Sequence, residues 1–302
     1  MVIENLKIEV RDKTIRELIP EESTIEQVAT GFVFTEGPVW CGNYLLFSDI
    51  PMNRIIRLRL LREGPEVTNF RSPSGDPNGS TLDKLDRLIN CEHGGRRVTL
   101  TEIDGTVKVI AERYDGKRLN SPNDVVVRSD GSVYFTDPPF GLRNRDDLRE
   151  LPYNGVYRIA PDGEITLVVD DFDHCNGLAF SPDESILYIN DTVRQHIRAF
   201  DVARDGSLSN GRVFIETKGE EPGAPDGMKV DTQGNIYCTG SGGFWIINPA
   251  GECLARVTPP EFPSNFAWGD SDWKTLYITA RTSVYRMRVL VPGIPVGSYR
   301  QL

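Results

Sequence analysis

Apolar residues along this chain fall into short runs separated by polar turns, a pattern that favours β-strands over helices. Six of the runs share one phrase, in which an apolar or aromatic core is followed by a small or acidic residue. They are YLLFSD around Leu46, RLINCE around Ile89, SVYFTD around Tyr134, ILYIND around Tyr188, NIYCTG around Tyr237 and TLYITA around Tyr277. The centres lie 43, 45, 54, 49 and 40 residues apart, a spacing that indicates a structural repeat.

Each repeat predicts a small antiparallel sheet. A second strand candidate follows every phrase, and a third is present in the first five repeats. Turn pairs such as Asp104-Gly105 and Asp130-Gly131 separate the strands, since hairpin turns need residues that tolerate positive φ. The last repeat ends after SVYRMRV, without an outer strand, so we expect TIEQVAT, residues 24 to 30, to complete it and close the ring.

These repeats predict an all-β protein, a six-bladed β-propeller with four-stranded antiparallel blades whose last blade is closed by an N-terminal strand. We assign residues 24–302 to a single propeller and residues 1–23 to an N-terminal extension. A β-sandwich is the alternative fold, but a sandwich would not impose six copies of one phrase.

One more strand precedes each phrase, and it begins with an oxygen-bearing side chain in every repeat. These side chains are Glu36, Asn78, Asn123, Asn176, Asp226 and Asn265. The innermost strands of a propeller surround its central channel, so we expect the six side chains to converge there. Unpartnered buried polar groups cost about 1–3 kcal/mol each, whereas Ca²⁺ accepts six to eight oxygen ligands.

The sequence therefore predicts one bound divalent metal. Ca²⁺ is the first candidate, and Zn²⁺, Mn²⁺, Mg²⁺ and Fe²⁺ stay open, although no His and Cys cluster at zinc-ligand spacing is present. The alternative is that the Asn and Asp residues cap turns, where their side chains bond neighbouring amides.

Composition limits the classes of partner. A formal net charge of −10 argues against nucleic-acid binding. The five cysteines lack CxxC spacing and are expected to be free thiols. The N-terminus has no signal-peptide pattern and no apolar run reaches 18 residues, so we expect a cytoplasmic monomer or homodimer that acts on a small molecule without a membrane.

Four phrases beside the ring residues, FTEGPVW, SPNDVVV, CNGLAF and PDGMKV, resemble landmarks of the regucalcin and gluconolactonase (senescence marker protein) family in order and spacing. The phrase CEHGGRRV is similar to the second blade of the bacterial gluconolactonase-like branch. This resemblance implies a six-bladed calcium propeller and a carboxylic-ester hydrolase that opens a sugar 1,5- or 1,4-lactone.

The resemblance also implies roles for individual residues. Glu36, Asn176 and Asp226 would bind the metal, Asn123 would lie close to both metal and substrate, and Asp226 would serve as general base. In the animal branch an Arg two residues before the substrate-binding Asn holds the sugar. Here Ser121 occupies that place, and Arg118 has the wrong offset. The absence of this arginine makes a sugar lactone less certain as the substrate than lactone hydrolysis is as the reaction.

The residues are consistent with metal polarisation of a lactone carbonyl and attack by water. His93, His174 and Asp137 are candidates for substrate contact, each with a structural role as the alternative; His196 is expected to be structural. The G-S-G-G at residues 240 to 243 lacks the elbow of serine hydrolases.

Two other functions stay open at this point. A broader esterase or organophosphate hydrolase would need an apolar rim, which the aromatic residues Phe140, Tyr153, Phe244 and Phe262 could supply. A calcium-binding propeller without turnover is the other, because fold alone does not imply function.

Overall fold

The computed structural model describes residues 2–300, which form six main antiparallel sheets arranged as the blades of a propeller. From the channel outward, blade 1 contains Thr35–Trp40, Leu45–Asp49, Arg54–Leu61 and Gly64–Arg71. Blade 2 contains Pro77–Leu82, Leu88–Glu92, Arg97–Thr101 and Val107–Ala111. Blade 3 contains Val125–Val127, Val133–Asp137, Asn154–Ile159 and Ile165–Phe172.

The other three blades repeat this order. Blade 4 contains Cys175–Phe180, Ile186–Asp191, His196–Val202 and Leu208–Glu216. Blade 5 contains Met228–Val230, Ile236–Gly240, Gly243–Ile247 and Cys253–Thr258. Blade 6 contains Pro263–Gly269, Thr275–Ala280, Ser283–Arg288 and Thr24–Thr30. The predicted six-bladed fold is confirmed.

The ring closes as the sequence predicted. Thr24–Thr30 pairs antiparallel with Ser283–Arg288 and supplies the outer strand that blade 6 lacks. Two further strands were not predicted. Val2–Asn5 pairs with Thr24–Thr30, and Lys7–Val10 pairs with Cys253–Thr258, so blades 6 and 5 each gain a fifth strand.

Helical structure in the described chain is limited to short 3₁₀ segments and lies mainly in connections. They are Lys13–Glu17, Ile50–Met52, Phe140–Leu142, Asp146–Leu148 and Gly297–Tyr299. A small ribbon, Arg113–Tyr114 with Lys117–Arg118, precedes blade 3. Among residues 2–300, no helix has the length and apolar character needed to cross a membrane.

Aromatic residues in the repeated phrase join one blade to the next. Tyr277 of blade 6 stacks on Trp40 of blade 1 with ring centroids 5.3 Å apart. Tyr134 meets Phe180 at 5.2 Å, and Tyr237 meets Trp268 at 4.9 Å. In each pair the first ring lies on a second strand, and the other lies at or next to the end of the innermost strand of the following blade. Such an aromatic pair contributes about 0.5–1.5 kcal/mol to stability beyond the burial of its surface, which explains why an aromatic residue recurs in the phrase.

The C-terminal segment covers one end of the central channel. Pro295 and Val296 line a small apolar space together with Trp40 and Val126 from the far ends of innermost strands. The Arg300 guanidinium donates to the carbonyl of Val127 at 3.2 Å, which ties the segment to blade 3. We call this end the covered mouth.

Candidate metal and substrate site

The opposite end, which we call the open mouth, contains a cavity of about 370 Å³. Five of the six predicted ring residues line it, and they come from the beginnings of innermost strands in blades 1 to 5. They are Glu36, Asn78, Asn123, Asn176 and Asp226. The structure therefore brings these five ring residues together, although they are up to 190 positions apart in the sequence.

Glycine follows four of the ring residues, and it allows the innermost strands to approach one another. A Cβ on Gly37 would lie 1.9 Å from the carbonyl oxygen of Asn78, and one on Gly177 would lie 2.3 Å from that of Asp226. The Gly177 amide donates to that same Asp226 carbonyl at 3.0 Å. The glycines thus permit hydrogen bonds between blades directly beside the ring.

Three carboxyl groups lie close together at this mouth. Burial and the neighbouring charges of Asp226 and Asp124 raise the pKa of Glu36 well above its usual range. Burial and Asp124 likewise raise the pKa of Asp226, although a hydrogen bond with Asn176 partly opposes the shift. Like charges in a poorly solvated site disfavour ionisation, so a positive ion would stabilise both carboxylates.

The amides present free oxygens to the cavity. Asn176 donates its Nδ2 to Thr192 Oγ1 at 3.0 Å, so its carbonyl oxygen is left as an acceptor. Asn78 donates its Nδ2 to His93 Nε2 at 3.0 Å, and its buried Oδ1 has no hydrogen-bond partner among the described residues. The side chain of Asn123 also has no hydrogen bond within residues 2–300 and faces the cavity.

These observations fit a hard divalent cation. Two carboxylates and up to three amide oxygens form an all-oxygen donor set of the kind that Ca²⁺ prefers. Within the described chain, no group of three His, Cys, Asp or Glu side chains is arranged to hold a metal by itself. A cation would therefore need amide oxygens as well as carboxylates. It would also give the buried Oδ1 of Asn78 the partner that this atom lacks among the described residues.

Residues 34–282 match the sequence family described as the SMP-30/gluconolactonase/LRE-like region. A gluconolactonase from Zymomonas mobilis is 35% identical over 303 aligned positions, covering 91% of this chain and 84% of the relative. The chain belongs to this family. The regucalcin and gluconolactonase resemblance predicted from the sequence is thereby confirmed.

Solved structures agree with the family. A gluconolactonase from Xanthomonas campestris is 33% identical, with a TM-score of 0.85 and coverage of 95% of both chains. A calcium-binding regucalcin from Agrobacterium tumefaciens has a TM-score of 0.75 and covers 91% of this chain and 97% of its own length. At 19% identity, that second likeness shows the fold alone.

Asn265 lies behind the ring rather than on the cavity wall. Its Nδ2 donates to Glu36 Oε2 at 3.0 Å, while its Oδ1 accepts from Lys229 Nζ at 3.1 Å. Lys229 is also 3.5 Å from the buried carboxylate of Asp124. The sequence analysis did not single out Lys229. A lysine between apolar residues of an innermost strand, as between Met228 and Val230, could have indicated a buried charge.

The two predicted histidines lie in different surroundings. His93 lines the cavity, and burial together with the Arg143 charge lowers its pKa to about 4. His174 does not line the cavity. Its Nδ1 lies 2.8 Å from Asp173 Oδ1, and its ring packs on Phe140 with centroids 5.2 Å apart. A substrate contact by either residue stays a prediction, and the geometry favours His93.

Asp137 is buried beneath the loop that joins the second and third strands of blade 3. Its Oδ2 accepts from the Asn120 amide at 2.7 Å, and burial raises its pKa to about 7. Ser121 is beside it, where Oγ donates to the Pro138 carbonyl at 2.6 Å and accepts from the Gly141 amide at 2.9 Å. These contacts anchor a loop whose Phe140 reaches the cavity. Substrate binding by Asp137 itself stays a prediction.

The cavity wall above the ring is mostly apolar. Phe140 and Phe262 line it, together with Phe34 and Ile50, which the sequence did not single out. Tyr153 and Phe244, the other aromatic candidates, lie outside the cavity: Phe244 belongs to the core between blades 5 and 6, and Tyr153 packs against the core of blade 3.

Arg118, the arginine with the wrong offset, donates to the Gly95 carbonyl at 3.1 Å and does not line the cavity. No arginine beside Asn123 therefore takes the place of the one in the animal branch. All five cysteines are free, as predicted.

Proposed function

We propose that this protein is a metal-dependent hydrolase that opens a small lactone, of which a sugar 1,5- or 1,4-lactone is the best candidate. The observation that carries the proposal is the juxtaposition of Glu36 and Asp226 with three amide side chains in one cavity. Gluconolactonases are among the relatives with at least 33% identity, and they support the same chemistry.

Glu36, Asn176 and Asp226 would hold the metal, with Asn123 beside it. Asn78 completes this set through its unpartnered oxygen, and Asn265 and Lys229 hold Glu36 in place from behind. Ca²⁺ is the first candidate because every donor is oxygen. When bound, a divalent cation supplies Lewis-acid polarisation of the lactone carbonyl and neutralises the developing oxyanion.

Asp226 is the proposed general base. It accepts a proton from the attacking water as the carbon–oxygen bond forms, and the ring oxygen leaves as an alkoxide that takes up a proton. Its partial exposure to the cavity leaves room for that water, whereas Glu36 is buried. Asn123 and His93, which line the cavity, would bind substrate hydroxyl groups, and Phe140 would limit the entry of bulk water.

A direct test starts from protein stripped with a chelator. Acid release from glucono-1,5-lactone is followed after Ca²⁺, Mn²⁺ or Zn²⁺ is restored in turn, with Asp226→Ala as the inactive control. We expect turnover to return with one ion and to be absent in the variant. A folded protein that opens no lactone with any of these ions would contradict the proposal.

A broader esterase or organophosphate hydrolase is a second candidate because Phe34, Phe140 and Phe262 form an aromatic wall on the cavity. Phenyl acetate and paraoxon assayed beside the lactone separate the two functions. A higher kcat/KM for either aryl ester than for any sugar lactone would favour this candidate. Binding of Ca²⁺ without turnover of any ester would favour a non-catalytic propeller.

A further inference from the structure

Arg281 is the one arginine or lysine that lines the open-mouth cavity within residues 2–300. It lies in the tight hairpin between Thr275–Ala280 and Ser283–Arg288 of blade 6. Its backbone carbonyl accepts from the Thr35 amide at 2.7 Å, so the residue is fixed next to Glu36. Its guanidinium carbon lies 5.9 Å from the Phe262 ring centroid, within the range of a cation–π contact.

A comparison with blade 2 shows what is unusual about this side chain. Arg96 occupies the corresponding hairpin, and both residues have positive φ, 54° for Arg96 and 39° for Arg281. The Arg96 guanidinium donates to the carbonyls of Leu119, Asn120 and Leu148 and so joins protein segments. Arg281 has no side-chain hydrogen bond or ion pair with any described residue. Hairpin geometry therefore explains its backbone, whereas its exposed guanidinium contacts the Phe262 ring and is free to bind a ligand at the mouth.

Neighbouring carboxylates are engaged elsewhere. Glu261, which is close to the same hairpin, accepts from the Thr282 amide at 2.8 Å and from the Tyr285 hydroxyl at 3.0 Å. Arg143, another arginine near this mouth, lies 3.3 Å from Asp76. Arg281 is thus an uncompensated positive charge on the wall.

Charge balance in the cavity favours an anionic ligand. Lys229 and Asp124 compensate each other at 3.5 Å, and a divalent cation would compensate Glu36 and Asp226. The Arg281 charge is then left over at the site where substrate enters. A guanidinium forms strong paired hydrogen bonds to carboxylate or phosphate, and the contact with Phe262 orients this one at the cavity wall.

We propose that Arg281 is a specificity-determining residue that binds an anionic group on the substrate, remote from the reacting carbonyl. The preferred substrates are then lactones that carry a carboxylate or a phosphate. This inference rests on the proposed lactone hydrolysis for its kinetic test, but its binding test stands alone.

The kinetic test compares three lactones with the metal-loaded protein: neutral glucono-1,5-lactone, 6-phosphoglucono-1,5-lactone and glucaro-1,4-lactone. We expect a higher kcat/KM for at least one anionic lactone than for the neutral one, and the two anionic arms identify the group. In Arg281→Gln the ratio of anionic to neutral kcat/KM falls about 10- to 100-fold, the usual worth of a hydrogen bond to a charged group. Arg143→Gln, the matched control, keeps the ratio within twofold of wild type.

The binding test uses calorimetry with the open-chain acids 6-phosphogluconate, glucarate and gluconate, on both metal-loaded and stripped protein. Tighter binding of an acid with a second anionic group than of gluconate, lost in Arg281→Gln and partly restored in Arg281→Lys, supports the inference even if no lactone is opened. Equal binding of all three acids by the wild type overturns it. Equal weakening of gluconate and of the two acids with a second anionic group by Arg281→Gln also overturns it.

Discussion

The two mouths of the channel are built from the same six innermost strands, yet they differ in almost every chemical respect. The open mouth contains the strand beginnings, with Glu36, Asp226 and amide oxygens around a cavity. The covered mouth contains the strand ends, where Trp40, Phe180 and Trp268 pack beneath the C-terminal segment. The innermost strands of blades 1 and 4 thus change from polar to apolar within a few residues, whereas blades 2 and 5 also place Ser80, Thr81 and Lys229 at the covered mouth.

The two mouths also differ in how much unfavourable free energy their buried polar groups contribute to the folded protein. At the open mouth, buried carboxyl groups have raised pKa values and Asn78 has an unpartnered oxygen, features that destabilise the protein without a ligand. At the covered mouth, Arg300 is paired with Glu184 at 2.7 Å and aromatic rings fill the space, so the cost there is limited to polar atoms such as the unpartnered indole nitrogen of Trp268. We propose that the first arrangement serves binding and that the second serves stability.

The largest expected effect follows from removing one carboxylate at the open mouth. Asp226→Asn should lower kcat/KM by about 10²–10⁴-fold, the usual contribution of a general base. It should not lower the melting temperature of stripped protein, because it removes a charge that disfavours ionisation of Glu36. Lactone opening and thermal unfolding in chelator measure the two effects.

Asp86→Asn is the matched control for that variant. Asp86 lies at the covered mouth, where Ser298 donates to it through its amide at 2.8 Å and its hydroxyl at 2.6 Å. We expect its kcat/KM to stay within twofold of wild type. A loss of activity in both variants would mean that the two mouths are not functionally distinct.

His93 gives an effect of intermediate size that depends on pH. The unfolded chain binds a proton on this histidine near pH 6.5, whereas the folded protein does so only near pH 4. Stability should therefore fall as pH decreases from about 6.5 to 4, by up to about 3 kcal/mol from this group. Replacing it with Gln, which can still accept from Asn78 Nδ2, should remove that part of the loss.

Urea unfolding of wild type and His93→Gln in chelator, from pH 7 to 4, measures this difference. Subtracting the two curves removes the opposite contribution of carboxyl groups with raised pKa values, which favour the folded state as pH falls. Parallel curves across the whole range would show that His93 is not held neutral in the folded protein.

The smallest effect is expected at the covered mouth. Arg300→Gln removes the ion pair with Glu184 and weakens the contact with the Val127 carbonyl. We expect a loss of about 1–3 kcal/mol in the free energy of unfolding, with kcat/KM within twofold of wild type. Denaturant unfolding beside the lactone assay tests this. A large loss of activity at unchanged stability would show that the C-terminal segment affects the open mouth.

The repeat could be predicted from the sequence because each blade packs against its neighbours in the same way. Tyr134, Tyr237 and Tyr277 recur in the phrase because each contacts the next blade. The first residues of the innermost strands were readable for a similar reason, since equivalent positions in a ring converge. Five of the six reach the cavity.

Other features depend on contacts that no local pattern reveals. Asn265 is absent from the cavity wall, where Ser264 lies instead, and its side chain bonds Glu36 and Lys229. Arg281 reaches the cavity through a hairpin tied to Thr35, 246 positions away in the sequence. The strands before Thr24 and the segment over the covered mouth contact blades that are distant in the sequence. Their positions depend on the closed ring and could not be predicted from a local pattern.

The central claim, that the oxygen ring at the open mouth is a divalent-cation site, is tested most directly by calorimetric titration of Ca²⁺ into chelator-stripped protein. We predict one Ca²⁺ per chain for wild type and for Asp86→Asn. Glu36→Gln and Asp226→Asn should bind at least about tenfold more weakly, since each loses a charged ligand. Equal Ca²⁺ affinity in all four proteins, or no binding of any divalent ion by folded wild type, would contradict the account.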